Sequence, residues 1–326
     1  MNTLTFFNNK GGVGKTSLVY HLAWMFAELG QRVLAVDLDP QSNLTSAFLA
    51  EDEVEKIWEA EPPTTVLSSL RPLMEKLGDL REPPIHPITR NLSLLAGDLG
   101  LTEFEDRLGD GWRLALDDKP VDRADGLRVS SAFYRMVASA AQRTGASLVL
   151  LDVGPNLGAL NRAALVATDY VVVPLAADLF SLHGLRNLGP TLRAWRSGWK
   201  KRVELATDTK VTPLPNGLMQ PIGYVVMQPT MRERYPVAAY RRWTERIPSE
   251  YAKHMLESNK LSSNANLGTL KNYRSLAPLA QDARKPMFAL RAADGAIGGH
   301  ATAVQNCHDD FVTLAKQIAK QIGLNV

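Results

Sequence analysis

The sequence of 326 residues has only one cysteine, Cys307, and no long apolar run. One cysteine excludes an internal disulfide and any site that needs two cysteine ligands from the same chain. The longest apolar runs, residues 147–151 and 170–177, are less than half as long as a membrane-spanning helix. Residues 1–9 lack the basic start and the apolar core of a signal peptide. These absences predict a cytoplasmic protein without a membrane segment.

The composition is typical of a folded protein, because 45% of the residues are hydrophobic and 22% are charged. The length suits one large α/β domain with extra elements, or two small domains. The net charge of +3 is unevenly distributed. Residues 1–125 carry 12 basic and 21 acidic side chains, whereas residues 186–300 carry 19 basic and 8 acidic ones. The basic half suits a polyanionic partner, although a basic surface that only aids solubility explains the same charge.

The first 40 residues predict a β-strand, a helix and a second β-strand. Residues 3–8 are rich in β-forming side chains, residues 10–14 form a glycine-rich turn, and apolar residues at helical spacing run from Lys15 to Gly30. Residues 32–37 are apolar almost throughout, which is typical of a parallel strand covered on both faces. Further strands are predicted at 147–152, 170–174, 222–227 and 287–290, and helices at 66–77, 131–143, 183–195 and 301–322.

Because the strands come from both halves of the chain, we expect one α/β domain over residues 1–326, with a mostly parallel, doubly wound sheet flanked by helices. Two less regular stretches elaborate this domain: an acidic one over about residues 50–146 and a basic, partly helical one over about 196–275. The last helix has an apolar stripe and few basic residues, which favours packing on the sheet over binding to a membrane surface.

The glycine-rich turn has the sequence NKGGVGKTS over residues 9–17, between a predicted strand and a predicted helix. Its ending, GKT, matches the core of a Walker A phosphate-binding loop. Glycines let backbone N–H groups approach phosphate closely, and the helix N-terminus adds the positive end of its dipole. Lys15 can reach the β- and γ-phosphates, and the Thr16 hydroxyl can bind Mg²⁺. The residues predicted to bind nucleotide here are Lys10, Gly11, Gly12, Val13, Gly14, Lys15, Thr16 and Ser17.

Three aspartates follow two of the predicted strands. Asp37 and Asp39 are two residues apart at the end of the second strand and therefore share a face. Asp152 ends the apolar run SLVLLD, as in a Walker B strand, and is predicted to hold Mg²⁺. Neighbouring carboxylates repel each other unless a cation or an ordered water lies between them. The alternative is that Asp37 and Asp39 are turn residues that cap the next helix.

The loop departs from the standard Walker A pattern, because Asn9 replaces the first glycine and Lys10 adds a second lysine. Together with DLDPQ at residues 37–41, the loop resembles the deviant Walker A motif of the ParA/MinD family of P-loop ATPases. Residues 153–158, VGPNLG, resemble that family's γ-phosphate-sensing loop, although Val153 and Gly154 replace the usual threonine and proline. The resemblance is greatest to ParA-type partitioning ATPases.

The resemblance implies an ATPase that uses ATP and Mg²⁺, with Lys10, Lys15 and Asp39 as its catalytic residues. Lys10 would cross a homodimer interface to the nucleotide of the other subunit, and Asp39 would position or activate the attacking water. Asp37 and Asp152 would lie at Mg²⁺ together with Thr16. In the family, adenine is contacted near positions that correspond here to Met227 and Gln228 and to residues 290–294.

The basic stretch has interleaved aromatic side chains but no helix-turn-helix pattern, so contact with phosphates without base readout is expected. The candidate DNA-binding residues are Arg232, Arg234, Arg241, Arg242, Arg246 and Lys253. The resemblance implies an ATP-bound homodimer that binds double-stranded DNA non-specifically on the nucleoid. A ParB-like or other cargo adaptor would release it by stimulating hydrolysis. The cargo remains open between a plasmid or chromosome and a protein complex or organelle, and a membrane-surface switch like MinD is a third hypothesis.

Overall fold

The computed structural model describes residues 1–228, 237–258, 264–273 and 275–326. Within them, the strands are β1 (Asn2–Phe6), β2 (Val33–Asp37), β3 (His86–Thr89), β4 (Leu92–Leu95), β5 (Leu148–Asp152), β6 (Tyr170–Ala176), β7 (Gln220–Met227) and β8 (Asn266–Leu270). They form one sheet in the order β3-β4-β2-β5-β1-β6-β7-β8. Only β3 runs antiparallel to its neighbour, among the described strands. The predicted mostly parallel α/β fold is confirmed.

The helices lie on both faces of this sheet. They are α1 (Lys15–Glu28), α2 (Asn43–Phe48), α3 (Glu51–Glu59), α4 (Val66–Met74), α5 (Phe104–Leu114), α6 (Pro120–Ser130), α7 (Ala132–Thr144), α8 (Ala159–Val166), α9 (Leu179–Glu204), α10 (Val237–Met255), α11 (Ala277–Ala283) and α12 (Gly299–Ile322). The central strands are apolar on both faces because each face contacts a helical layer. In β2, for example, Leu34 and Val36 pack into one core, whereas Val33 and Ala35 pack into the other.

The predicted packing of the last helix on the sheet is confirmed. Phe311, Leu314, Ile318 and Ile322 of α12 are buried in the core that α1 also lines. In the part of the chain that the structure describes, no helix combines the length and the apolar character needed to cross a bilayer.

One predicted strand is wrong. Residues 287–290 contain a short 3₁₀ helix, Met287–Ala289, and make no ladder with the sheet. Phe288 and Leu290 are nevertheless buried, so the apolar run marks core packing rather than a strand. The position beside β7 is occupied instead by β8, whose sequence NLGTL has a polar, glycine-containing pattern that sequence analysis assigned to the irregular basic stretch.

The two elaborations are more regular than predicted. The stretch 50–146 contains α3 to α7 and the β3–β4 pair, and the basic stretch contains α10 and β8. Helix α9 extends well beyond the predicted 183–195, from Leu179 to Glu204, and includes Pro190. Asp178 caps its start, because the Asp178 carboxylate accepts a hydrogen bond of 2.7 Å from the Ser181 N–H.

Candidate functional site

The phosphate-loop sequence forms the turn between β1 and α1. Gly12 and Gly14 have φ of 72° and 81°, in the left-handed region that favours glycine. Gly14 immediately precedes the first turn of α1, and a Cβ there would lie 3.1 Å from the Met227 methyl carbon. The glycines therefore bring the loop backbone to the N-terminus of a helix, where free N–H groups and the helix dipole favour an anion.

Lys15 is buried beneath this loop. Its ammonium nitrogen lies 3.2 Å from the Asn8 carbonyl oxygen and 3.4 Å from the Lys10 carbonyl oxygen. Burial lowers the pKa of Lys15, while Asp152 and Asp39 oppose that change by favouring the charged form. The loop thus holds a cation at its centre, with two carboxylates close enough to influence it.

Asp37 is buried at the end of β2 and its carboxylate is fully engaged. One oxygen accepts hydrogen bonds from the Thr45 N–H at 2.8 Å and the Thr45 hydroxyl at 2.7 Å, and the other accepts one from the Asp39 N–H at 3.2 Å. Burial nevertheless raises the pKa of Asp37 to about 6, despite these bonds. These bonds join Asp37 to the first turn of α2, and its predicted place at Mg²⁺ stays a prediction.

Asp152 differs from Asp37, which is its partner across the β2–β5 ladder. It is completely buried, and neither carboxylate oxygen makes a well-formed hydrogen bond with the described residues. Burial, and then the charge of Asp37, raise the pKa of Asp152 well above its usual range, while the Thr16 hydroxyl and Lys15 oppose that change. Two unsatisfied carboxylate oxygens beside a hydroxyl are hard ligands of the type that Mg²⁺ prefers.

Within the described ranges, no group of three or more His, Cys, Asp or Glu side chains has a metal-binding arrangement. Mg²⁺ is usually bound through one or two protein ligands together with substrate phosphates and water. The orphaned oxygens of Asp152 and the hydroxyl of Thr16 therefore fit Mg²⁺ that arrives with a nucleotide.

Asp39 lies between the β2 loop and the loop that follows β5. One of its carboxylate oxygens accepts a 3.0 Å hydrogen bond from the Gln41 N–H. A Cβ on Gly154 would lie 3.4–3.7 Å from the Asp39 carboxylate, which is ordinary contact distance. The glycine that replaces the usual proline thus leaves the backbone of this loop close to Asp39.

Lys10 lies at the rim of the site and is half-buried. Its ammonium forms a 2.5 Å ion pair with Asp178, the residue that caps α9. It also lies 5.9 Å from the ring centre of Phe180, whose side chain is 73% exposed. In the free chain, Lys10 is therefore engaged by its own subunit.

A cavity of about 470 Å³ opens beside the loop. It is lined by Gly12, Gly14, Ser17, Met227, Gln228 and the segment after β8. Met227 and Gln228 thus line a cavity beside the phosphate loop, and their contact with a base stays a prediction. Residues 290–294 do not line the cavity: Leu290 is buried in the core, and Asp294 forms a 2.8 Å ion pair with Lys285.

The candidate DNA-binding residues of α10 are surface residues, but two of them have acidic partners. Arg241 pairs with Glu245 at 2.8 Å, and Arg246 lies 3.5 Å from Glu250. Arg242, Arg246 and Lys253 share one face of the helix, and Arg241 lies about a quarter turn away. Arg232 and Arg234 lie outside the described residues. The basic charge of this surface is therefore smaller than the count of arginines indicates.

Sequence analysis missed three contacts that shape the site. Thr45 binds Asp37, Asp178 binds Lys10, and Glu105 binds the start of α8, directly after the loop of residues 153–158. An Asp directly before the first apolar residues of a helical pattern is a helix-start signal, which could have located Asp178 as a cap. No local pattern joins it to Lys10, which is 168 residues away in the chain.

Comparison with known proteins is consistent with this geometry. A family model described as an AAA domain matches residues 1–205. The chromosome-partitioning ATPase Soj of Thermus thermophilus is 34% identical over 200 residues, which cover 61% of this chain and 64% of Soj. The cell division protein PomZ of Myxococcus xanthus is 31% identical over 190 residues, or 58% of this chain and 50% of PomZ. The chain thus spans between half and two thirds of these curated relatives.

Solved structures are similar along nearly the whole chain. Protein DIP2308 from Corynebacterium diphtheriae has 26% sequence identity and a TM-score of 0.71, with 98% of each chain covered. A putative plasmid partition protein from Borrelia burgdorferi, solved with AMPPNP, has 16% identity and a TM-score of 0.60, covering 98% of this chain and 99% of its own. The likeness to the second structure concerns the fold alone.

Replacing Asp152 with Asn should stabilise the nucleotide-free protein at pH 7. Folding the parent chain either buries an unpaired carboxylate or takes up a proton, and each costs free energy that the neutral amide avoids. We expect a gain of about 1 kcal/mol, seen as a rise of about 1–3 °C in the unfolding temperature. Asp106→Asn on the exposed face of α5 makes the same change in net charge and should have little effect. A lower unfolding temperature for Asp152→Asn would contradict this account.

Proposed function

The chain belongs to the AAA domain family, as a relative of the ParA-type partition ATPases, and on that premise we propose that it is an ATP-driven partitioning switch. One observation carries the proposal: Lys15 of the phosphate loop lies near Asp152 and Asp39, Asp37 lies beside Asp152, and both carboxylate oxygens of Asp152 are unsatisfied. A site with these charges needs an anionic phosphate to pair with Lys15 and a cation to pair with Asp152.

In the proposed reaction, the loop N–H groups and Lys15 bind the β- and γ-phosphates of ATP. Thr16 and Asp152 would hold Mg²⁺, which would supply positive charge to offset that of the phosphates. Asp37 keeps the adjacent β2 loop in place through Thr45. Asp39 orients the attacking water and accepts a hydrogen bond from it. Met227 and Gln228 contact the base from the wall of the cavity. The similarity to the ATPase Soj, 34% identical over 200 residues, supports ATP as the nucleotide.

Dimerisation is the proposed consequence of ATP binding. Lys10 leaves Asp178 and crosses to the phosphates of a second subunit, as the family resemblance implies. Phe180 beside Lys10 and its neighbour Leu179 are exposed, which supports a contact with a second subunit at this rim. Hydrolysis then removes the γ-phosphate that holds the two subunits together.

Non-specific double-stranded DNA is the proposed track of the ATP-bound dimer. Arg242, Arg246 and Lys253 form a basic strip along α10, and dimerisation would place two strips on one rigid body. An adaptor of ParB type would link the dimer to its cargo and stimulate hydrolysis. The relative PomZ is a cell division protein, which supports a protein complex as an alternative cargo to a plasmid or chromosome.

Asp39→Ala should retain ATP but lose turnover. Removing a residue that positions or activates water typically lowers the rate by about 10²–10⁴, whereas the phosphates remain bound by Lys15 and the loop. The measurement is the single-turnover hydrolysis rate beside the dissociation constant of a fluorescent ATP analogue.

Lys15→Ala is the matched comparison, since loss of the buried ammonium should abolish binding itself. If Asp39→Ala hydrolyses ATP at the parental rate, another group activates the water. If Lys15→Ala keeps parental affinity, the loop does not bind phosphate and the proposed function is wrong.

DNA binding should require ATP and should weaken steeply as salt increases. Each phosphate neutralised on duplex DNA contributes about −0.9 to the slope of log affinity against log salt. Arg242→Glu combined with Lys253→Glu should flatten that slope and weaken all DNA sequences alike, because phosphate contacts carry no base information. The measurement is a salt titration of binding to two unrelated duplexes with ATP, with ADP and without nucleotide.

The matched control is Arg90→Glu, which reverses an exposed charge in the turn between β3 and β4. At the same salt concentration, this variant should bind DNA with the affinity of the parent protein. Equal DNA binding with and without ATP, or no binding with ATP at low salt, would remove DNA as the track.

A further inference from the structure

The loop that follows β5 ends at a helix whose start is held by another part of the chain. The Glu105 carboxylate, on the first turn of α5, accepts hydrogen bonds from the Ala159 N–H at 2.5 Å and the Leu160 N–H at 2.8 Å. These are two of the N–H groups that a helix cannot satisfy by itself. Helix α8 has no side-chain cap of its own, because Gly158 occupies that position. Glu105 is therefore a cap supplied from 54 residues upstream.

Gly158 leaves room for this contact. A Cβ at that position would collide with the Glu105 carboxylate and would lie 3.1 Å from the Asn156 side-chain oxygen. The backbone of Gly158 has φ of −77°, which other residues also adopt, so the space rather than the backbone conformation favours glycine. Glycine at position 158 thus leaves space for the Glu105 carboxylate to reach the N–H groups of α8.

The loop between Asp152 and α8 is tied to the same helix. Asn161 of α8 donates hydrogen bonds to the Gly154 carbonyl oxygen at 2.9 Å and the Asn156 carbonyl oxygen at 2.7 Å. Gly154 in turn lies beside the Asp39 carboxylate. Hydrogen bonds therefore connect Glu105, the start of α8 and the loop, and Gly154 lies close enough to Asp39 that an added Cβ would touch the Asp39 carboxylate.

A second contact holds α5 against α8. The ring of Trp112, on the last turns of α5, has the Arg162 guanidinium of α8 4.6 Å from its centre and the Arg202 guanidinium of α9 at 3.7 Å. Arg202 also donates a 2.7 Å hydrogen bond to the Trp112 carbonyl oxygen. Helix α8 therefore contacts α5 at two points, through Glu105 and through Arg162 on Trp112.

We propose that Glu105 is a positioning residue for ATP hydrolysis, which keeps the loop of residues 153–158 beside Asp39. This inference rests on the proposed ATPase function and gives part of the acidic elaboration a role in it. The carboxylate neutralises the positive end of the α8 dipole and accepts from two N–H groups at once. Without it, the loop loses its fixed distance from Asp39, although the phosphate-binding groups of β1, α1 and β5 are untouched.

The test separates turnover from binding. Glu105→Ala should lower the single-turnover rate about tenfold, because small misplacements of a catalytic constellation have effects of this size or larger. Its dissociation constant for a non-hydrolysable ATP analogue should stay within twofold of the parent. Glu105→Gln retains one acceptor oxygen and should give an intermediate rate. Asp106→Ala, at the next and exposed position of α5, is the matched control and should hydrolyse at the parental rate.

A double-mutant cycle with Gly158→Ala distinguishes positioning from general destabilisation. Gly158→Ala alone should lower the rate, because its methyl group displaces the carboxylate. In the Glu105→Ala background it should have less than a twofold further effect, since the group it displaces is absent. Additive effects of the two substitutions, or an equal loss of turnover and of analogue binding, would overturn the inference.

Different results would contradict the ATPase function and the role of Glu105. If the parent protein neither binds nor hydrolyses ATP, the proposed function is wrong and the role of Glu105 falls with it. If the parent hydrolyses ATP and Glu105→Ala does so at the same rate, only the positioning role is wrong.

Discussion

The burial of carboxylates at one edge of the sheet, where they also lie close enough to repel one another, is the constraint on which the site depends. Pairing of β2 with β5 places Asp37 directly beside Asp152, and the turn after β2 brings Asp39 to the same edge. Lys15 alone cannot neutralise the three acids, and burial makes each charge costly. The free chain relieves part of this by bonding Asp37 to Thr45, and it leaves Asp152 unsatisfied. The fold thus leaves buried charged groups that a cation and a phosphate anion would pair with.

The surrounding elements explain why these acidic side chains stay at the site. The strands bearing the acids are buried on both faces, so the side chains cannot swing out to water without breaking the sheet. Gly97, after β4, lacks a side chain where a Cβ would meet the Asp37 carboxylate at 2.8 Å, and its N–H bonds to Thr45. In the acidic elaboration, Gly97 bonds to Thr45 beside Asp37 and Glu105 bonds to the start of α8, whereas Met227, Gln228 and the segment after β8 line the cavity.

Much of this could be predicted from the sequence, because the informative patterns are local. Consecutive residues define the phosphate loop, the strand ending at Asp37 and the strand ending at Asp152. Apolar strands that alternate with helices indicate a parallel sheet. Contacts between distant segments have no such pattern. The pairing of Lys10 with Asp178, and that of Glu105 with the start of α8, depend on how helices pack. Residues 287–290 show the opposite error. Their short apolar run resembles a strand in the sequence, although Phe288 packs into the core from a 3₁₀ helix.

The central claim is that the buried acids and Lys15 require Mg²⁺ and the nucleotide phosphates together. The most direct test is thermal unfolding at pH 7 with Mg²⁺ alone, a non-hydrolysable ATP analogue alone, and both. A ligand present at a hundred times its dissociation constant stabilises by about 2.7 kcal/mol. The account predicts that the two together raise the unfolding temperature by several degrees and by more than the sum of their separate effects. A purely additive response, or none, would contradict it.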